Sequence, residues 1–142
     1  MSAGQAFKQT ATVLAERLET DEYLLFTRLM QREAEASTVI QPGLAIPHVV
    51  IDGKGKFGVL LMRAIDGIEF PNVKGPVHAV FVLAGSKDER DYHLRALMAI
   101  AQIAQDKQFD KNWLKARNIE ELRDIILLAQ RKRFGAEKSE SV

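Results

Sequence analysis

The sequence has 142 residues, no cysteine, four prolines, one tryptophan and almost no excess of charge, with 20 Lys and Arg against 19 Asp and Glu. Without cysteine there is no disulfide framework, no thiolate-ligated zinc or iron–sulfur centre and no cysteine nucleophile. A formal net charge of +1 removes the basic field on which nucleic-acid binding depends, and the aromatic residues, 7% of the chain, are too scattered to form base-stacking platforms. Long apolar runs are also missing. The longest, Val77 to Gly85, is interrupted by His78 and falls far short of the roughly 18 residues of a membrane span, so no direct membrane insertion is expected. The opening residues, Met1-Ser2-Ala3-Gly4-Gln5, carry neither the basic nor the apolar stretch of a secretory signal, which makes a cytoplasmic protein the expectation.

Hydrophobic residues make up 46% of the chain, enough to supply a core for a domain that buries roughly 68–70% of its unfolded surface. One domain over residues 1–134 is expected, followed by a polar tail, Gly135 to Val142, with the composition of a disordered segment. Apolar positions at Ala6, Val13, Leu14 and Leu18 predict an amphipathic helix from about Gln5 to Leu18. Thr20-Asp21-Glu22 supplies the cap and acidic first turn of a second helix, with Leu24, Leu25, Leu29 and Met30 inside and Arg28, Gln31 and Arg32 near its end. Gln41-Pro42-Gly43 marks a turn. The short run Leu44-Ala45-Ile46 is held extended by Pro47, which places His48 at the end of a strand.

Asp52-Gly53-Lys54-Gly55-Lys56 reads as a hairpin-like turn into a strand from Phe57 to Arg63, and Asp66-Gly67 turns again. Val77 to Leu83 is apolar on both faces apart from His78, as a central covered strand should be. Ser86-Lys87-Asp88-Glu89 has the S-x-x-E capping-box pattern and should open a helix to about Gln105, with Leu94, Leu97, Met98, Ala101 and Ala104 in the core. Shorter helices follow around Phe109–Lys115 and from Ile119 to about Lys132. Together these elements describe an α/β fold, a small mixed β-sheet sandwiched by helices.

Only three histidines are available for chemistry: His48, His78 and His93. No two of them have the i, i+3 or i, i+4 spacing that puts two ligands on one helix face, so a three-histidine metal site is not expected; nor is a cofactor. Gly53-x-Gly55 is a turn, not a phosphate loop, because no G-K-[ST] follows. His48 stands apart, since the proline before it presents the imidazole from a stiffened backbone, where a ring near its normal pKa can accept a phosphoryl group or a proton. His78, alternating with apolar neighbours in a central strand, reads as structural.

The string Arg32-Glu33-Ala34-Glu35-Ala36-Ser37-Thr38-Val39-Ile40-Gln41-Pro42-Gly43-Leu44-Ala45-Ile46-Pro47-His48 resembles the active-site signature of the IIA domains of the phosphoenolpyruvate-dependent phosphotransferase system, of the mannitol, fructose and nitrogen-regulatory type. Gly67-Ile68-Glu69-Phe70, Pro76-Val77-His78-Ala79-Val80-Phe81-Val82-Leu83-Ala84 and His93-Leu94-Arg95-Ala96-Leu97 continue the likeness in the same order, over roughly Thr20 to Leu128. The resemblance implies a type-2 IIA fold and a protein-histidine phosphotransferase role in sugar transport or its regulation. His48 would take phosphate from the phosphocarrier protein HPr and pass it to a cysteine of a IIB domain. It further implies that Arg32 corresponds to the family's arginine and His93 to its second histidine.

Phosphoryl transfer passes through a loose, anionic transition state, so such a site needs positioning and fixed donors. Arg32 offers a planar fork that stays charged; on sequence alone it also suits the C-terminal end of its helix. His93 would donate to the phosphate or orient the His48 ring, unless it only borders an apolar stripe. Thr38, and less so Ser37, would add hydroxyl donors, or else form a turn.

Val49 follows the histidine where the family usually has glycine, and is expected either to narrow the approach of HPr or to form a hydrophobic docking rim. The family's short first strand has no counterpart ahead of the first helix, as in a fragment of a longer protein. Val49-Val50-Ile51 and Ala84-Gly85-Ser86-Lys87-Asp88-Glu89-Arg90 also resemble IIA-like domains associated with membrane transporters, which leaves open a regulatory domain that docks on a transporter, and a homo-oligomer. The family's downstream acceptor is a cysteine, so a chain with none cannot contain that partner domain.

Overall fold

A computed structural model describes residues 1–118 and Glu121. Packing divides the chain into two compact units, Met1–Ala96 and a second beginning at Leu97. Helix α1 (Ala3–Leu18) starts two residues earlier than its apolar pattern suggests. Its capping box explains the difference: the Ser2 hydroxyl accepts from the Gln5 N–H at 3.2 Å, and the Gln5 side chain accepts from the Ser2 N–H at 2.9 Å. The helix ends at Glu19, which is left-handed at φ 52°, and Lys56 Nζ donates to the Glu19 carbonyl at 2.8 Å.

Helix α2 (Glu22–Glu35) is capped by Asp21, whose carboxylate accepts from the Leu24 N–H at 2.7 Å. Leu25 and Leu29 are buried, but Leu24 and Met30, expected inside, are each 38% exposed. At 100° per residue they flank the Leu25–Leu29 stripe on either side, and only the stripe meets the core.

Five strands follow: β1 (Val39–Gln41), β2 (Leu44–Ala45), β3 (His48–Ile51), β4 (Phe57–Ile68) and β5 (Val77–Ser86). β1 and β2 form an antiparallel hairpin around Pro42-Gly43. β5 is the central strand, buried along its length except at His78. β2 and β3 run parallel to it along one edge, and β4 runs antiparallel to it along the other. The expected α/β fold with a small mixed sheet is therefore formed, with α1 packed on α2 and β4, and α2 on β3.

Further expectations need correction. The segment Asp52–Lys56 is not a hairpin turn, because β3 and β4 both pair with β5 and lie on its two sides. The loop instead passes the end of β5 and is clasped there: Ser86 N–H donates to the Lys56 carbonyl at 2.8 Å, Lys56 N–H to Ser86 Oγ at 3.1 Å, and Gly55 N–H to Asp88 Oδ2 at 2.8 Å. Because Ser86 Oγ faces that loop and Asp88, it makes no capping hydrogen bond, and a 3-10 turn (Lys87–Glu89) leads into α3 (Arg90–Ala104). In α3 the buried set is Ile100, Ile103 and Ala104, whereas Leu94 and Met98 are 46% and 66% exposed. Several apolar sets share the helical period in this segment, and period alone does not choose between them. His48 opens β3 instead of closing a strand, since Pro47 has no N–H to continue the ladder.

β4 also runs beyond Arg63. Pairing Arg63↔Ala79 resumes only at Ile68↔Val77, so the residues around Asp66-Gly67 bulge within the strand. Ahead of α1, where no strand is expected, Ser2 makes a single bridge to Glu69, with Ala3 N–H donating to the Glu69 carbonyl and Glu69 N–H to the Met1 carbonyl, each at 2.9 Å. In the second unit, α4 (Phe109–Lys115) stacks Phe109 on Trp113 at 5.4 Å. Apart from Glu121, the expected helix from Ile119 to about Lys132 and the tail from Gly135 lie outside the described residues. No helix among the described residues is long and apolar enough to cross a membrane.

Two glycines test the bulge. Gly43 and Gly67 both have left-handed φ, 87° and 88°, but a Cβ on Gly43 would meet nothing within 4 Å, whereas on Gly67 it would lie 2.3 Å from Pro76 Cβ. Gly43→Ala should cost about 1–2 kcal/mol in urea unfolding, the backbone penalty alone. Gly67→Ala should cost clearly more, and equal losses would contradict the packing of Pro76 against the bulge.

Candidate functional site

His48 is presented by three constraints. Leu83 N–H donates to the Pro47 carbonyl at 2.9 Å, docking β3 on β5 just before the histidine. Strand alternation then sends Val49 and Ile51 into the core and leaves His48 and Val50 on the opposite face. The Val49 side chain therefore neither narrows the approach to His48 nor forms a docking rim; the exposed neighbour is Val50, at 50%. Lastly, His48 Nδ1 lies 2.8 Å from the Ile46 carbonyl oxygen. A carbonyl can only accept, so Nδ1 carries the hydrogen and the lone pair of the neutral ring is on Nε2.

His93, in the first turn of α3, brings a second imidazole to this one. The ring centroids are 5.6 Å apart at 69°, and His93 also meets the edge of Phe57 at 6.4 Å. Next to these rings, a Cβ at Gly85 would crowd Phe57 Cδ1 at 3.1 Å and the Lys56 carbonyl oxygen at 3.3 Å, while only touching His93 Nδ1 at 3.9 Å. Burial of the half-buried His93 ring, and secondarily the neighbouring His48, push its pKa below the ordinary 6.5.

Helix α2 lies along the outer edge of β3. Arg28 donates through Nη1 to the Val50 carbonyl at 3.0 Å and through Nη2 to both Asp52 carboxylate oxygens at 3.3 Å. Farther along, Ile46 N–H donates to the Thr38 carbonyl at 2.9 Å, so helix and strand run in opposite directions. One helical turn from Arg28 to Arg32 rises about 6 Å, and two strand residues back from Val50 to His48 span about 6.6 Å. Arg32 therefore lies one turn beyond Arg28, toward the His48 end of β3. Its Nη1 donates to the Ala36 carbonyl at 3.0 Å, at the C-terminal cap of its own helix.

The buried Thr38 gives its N–H to Glu33 Oε2 at 3.0 Å and its hydroxyl to Glu33 Oε1, so both donors are committed to the buried carboxylate. Ser37 Oγ accepts from the Val39 N–H at 3.1 Å. His78 lies earlier in β5, with Nδ1 2.8 Å from the Ala64 carbonyl. The fold thus brings His48 and His93 together, while Arg32 is turned to the Ala36 carbonyl and Thr38 and Ser37 shape the loop between α2 and β1. Arg28, Asp52 and Glu33 were not singled out for the site in the sequence. The i, i+4 spacing of Arg28 and Arg32 on one helix face is the signal that could have found the first of them.

Comparison with known proteins gives one family over most of the chain. Residues 1–128 match the family profile described as phosphoenolpyruvate-dependent sugar phosphotransferase system, EIIA 2. The nitrogen regulatory protein of Bradyrhizobium diazoefficiens is 30% identical over 128 residues, 89% of this chain and 84% of that protein. The crystal structure of nitrogen regulatory protein IIA-Ntr from Neisseria meningitidis superposes with a TM-score of 0.80 at 25% identity, covering 88% of this chain and 86% of that one. In fold alone, the complex of enzyme IIAMTL and phosphorylated enzyme IIBMTL from Escherichia coli is also similar, with a TM-score of 0.72 at 14% identity over 89% and 88% of the two chains.

The lowered His93 pKa has a signed consequence. The fold holds this ring neutral, so its stability contribution is complete above the unfolded value near 6.5 and is lost as pH falls through the lower folded value. In an NMR titration His93 should protonate below 6.5. In His48→Ala its midpoint should move up only part of the way, because burial is the larger cause. A full return to the unperturbed value would show that the His48 charge, and not burial, controls His93.

Proposed function

The chain belongs to the phosphoenolpyruvate-dependent sugar phosphotransferase system EIIA 2 family, and on that premise we propose that it is a phosphoryl carrier whose His48 accepts phosphate from HPr and hands it to a cysteine of a IIB partner. The observation that carries the proposal is the Ile46 carbonyl on His48 Nδ1, which leaves Nε2 as the nucleophile beside His93. The Nε2 lone pair forms the new N–P bond while the donor's bond to phosphorus breaks and its electron pair leaves with the donor. The ring keeps its hydrogen on Nδ1 and becomes cationic, and the Ile46 carbonyl stabilises that charge. Transfer onward reverses this: a thiolate sulfur bonds phosphorus, the N–P bond breaks, and the ring returns to neutral.

Arg32 is the clamp for the phosphoryl oxygens, reached when its guanidinium leaves the Ala36 carbonyl. His93, neutral at pH 7, donates one N–H to a phosphoryl oxygen without placing a second full positive charge beside the imidazolium of His48. Thr38 and Ser37 support the phosphate site through the loop they close.

A second reading, in which the phosphorylation state is itself the signal and the domain acts on a transporter or another protein, is favoured by the nitrogen regulatory relative that matches most of both chains.

Incubation with phosphoenolpyruvate, enzyme I and HPr should give an acid-labile, alkali-stable phosphate that His48→Ala abolishes. Arg32→Ala should slow labelling by about 10²–10³-fold, the usual effect of removing one transition-state donor. A wild-type chain that stays unlabelled with cognate partners would end the carrier proposal. Added IIB should drain the label if the chain is a relay, and leave it in place if its phosphorylation state is the output.

A further inference from the structure

The sequence spacing that argues against a metal site considers only histidines on one helix, whereas the fold joins His48 from β3 to His93 from α3. Zinc binds imidazole nitrogen at about 2.0–2.1 Å, and the ring centre lies about 1.2 Å behind that nitrogen, so two rings on one tetrahedral ion have centroids about 5.2 Å apart. The observed separation is 5.6 Å, which a slightly wider N–metal–N angle accommodates.

His48 already has the outer-sphere arrangement of a metal-bound histidine: Nδ1–H is held by a backbone carbonyl and Nε2 is left as the donor.

We propose that His48 and His93 form a two-histidine site for a divalent transition ion of the zinc type, and that occupancy masks the Nε2 nucleophile. Among the described residues no cluster of three or more His, Cys, Asp or Glu is present, so water completes the coordination and the ion exchanges freely. Two imidazole donors and no carboxylate favour zinc, nickel or copper over magnesium and calcium, which require oxygen ligands. The binding half of the proposal is independent of phosphoryl transfer; only its inhibitory consequence rests on the function proposed above.

The test is a zinc chloride titration of the full chain at pH 7.5, followed by the histidine ring signals in NMR. The His48 and His93 rings should shift together, saturate at one equivalent and recover with EDTA, while His78 stays unmoved as an internal reference and magnesium at the same concentration has no effect. His48→Gln and His93→Gln should each lose the saturable shift, with the remaining amide spectrum certifying the fold. A shift confined to one ring, a response that never saturates, or equal movement of His78 would overturn the site, and the wild-type titration decides this even if a variant does not fold. With pre-formed phospho-HPr as donor, one equivalent of zinc should suppress labelling and EDTA should restore it. Bound zinc with undiminished labelling would overturn the masking. A chain that never labels would instead count against the carrier reading and leave the metal result standing.

Discussion

The hydrogen bond from His48 Nδ1 to the Ile46 carbonyl fixes which nitrogen of the imidazole can react, and Pro47 is what makes it available. A proline has no N–H, so the strand that would run on from β2 is interrupted, and the Ile46 carbonyl turns to the ring two residues later. A net contribution of about 1 kcal/mol for such a bond is several-fold in tautomer ratio, enough to decide the resting state of a neutral histidine. The rest of the site is built around that ring: His48 shares its strand face with the exposed Val50, and His93 meets the ring from α3.

Around this point the surrounding elements act as a frame. β5 holds β3 from one side and Arg28 holds it from the other, tying α2 to the strand at Val50 and Asp52. The same helix carries Arg32 one turn later. A guanidinium about 4 Å from a unit charge is worth about 4 kcal/mol at an effective dielectric of 20, and only about 1 kcal/mol in bulk water. In the proposed carrier role, Arg32 would therefore gain most of its strength when a docked partner excludes solvent. That role is compatible with a net charge of +1, since positive charge would be needed at one residue and not over the surface.

Local signals were the legible part of the sequence. The Asp21 cap, the turn at Pro42-Gly43, the doubly apolar β5 and the Ile46-Pro47-His48 string each follow from backbone chemistry within a few residues, and each marks an element or junction found in the fold. The misreadings concern choices that neighbours distant in sequence decide. Ser86 has the spacing of a helix cap, yet its hydroxyl is engaged by Lys56, thirty residues earlier. The Gly53–Gly55 turn looks like a hairpin because sequence cannot show that β5, not yet reached in the chain, fits between the strands. Leu94 and Met98 have the right period but the wrong face. At the site, His48 was legible from its own backbone, whereas its meeting with His93 depends on where α3 begins, which is not local.

The central claim is the tautomer of His48, and a two-bond proton–nitrogen correlation spectrum of the histidine rings, recorded above pH 7.5 on the unphosphorylated protein, reads it directly. A protonated Nδ1 and a bare Nε2 on His48 is the predicted result. A protonated Nε2, or an even mixture of the two forms, would mean that the Ile46 carbonyl does not set the reacting nitrogen, and the account built on it would not stand.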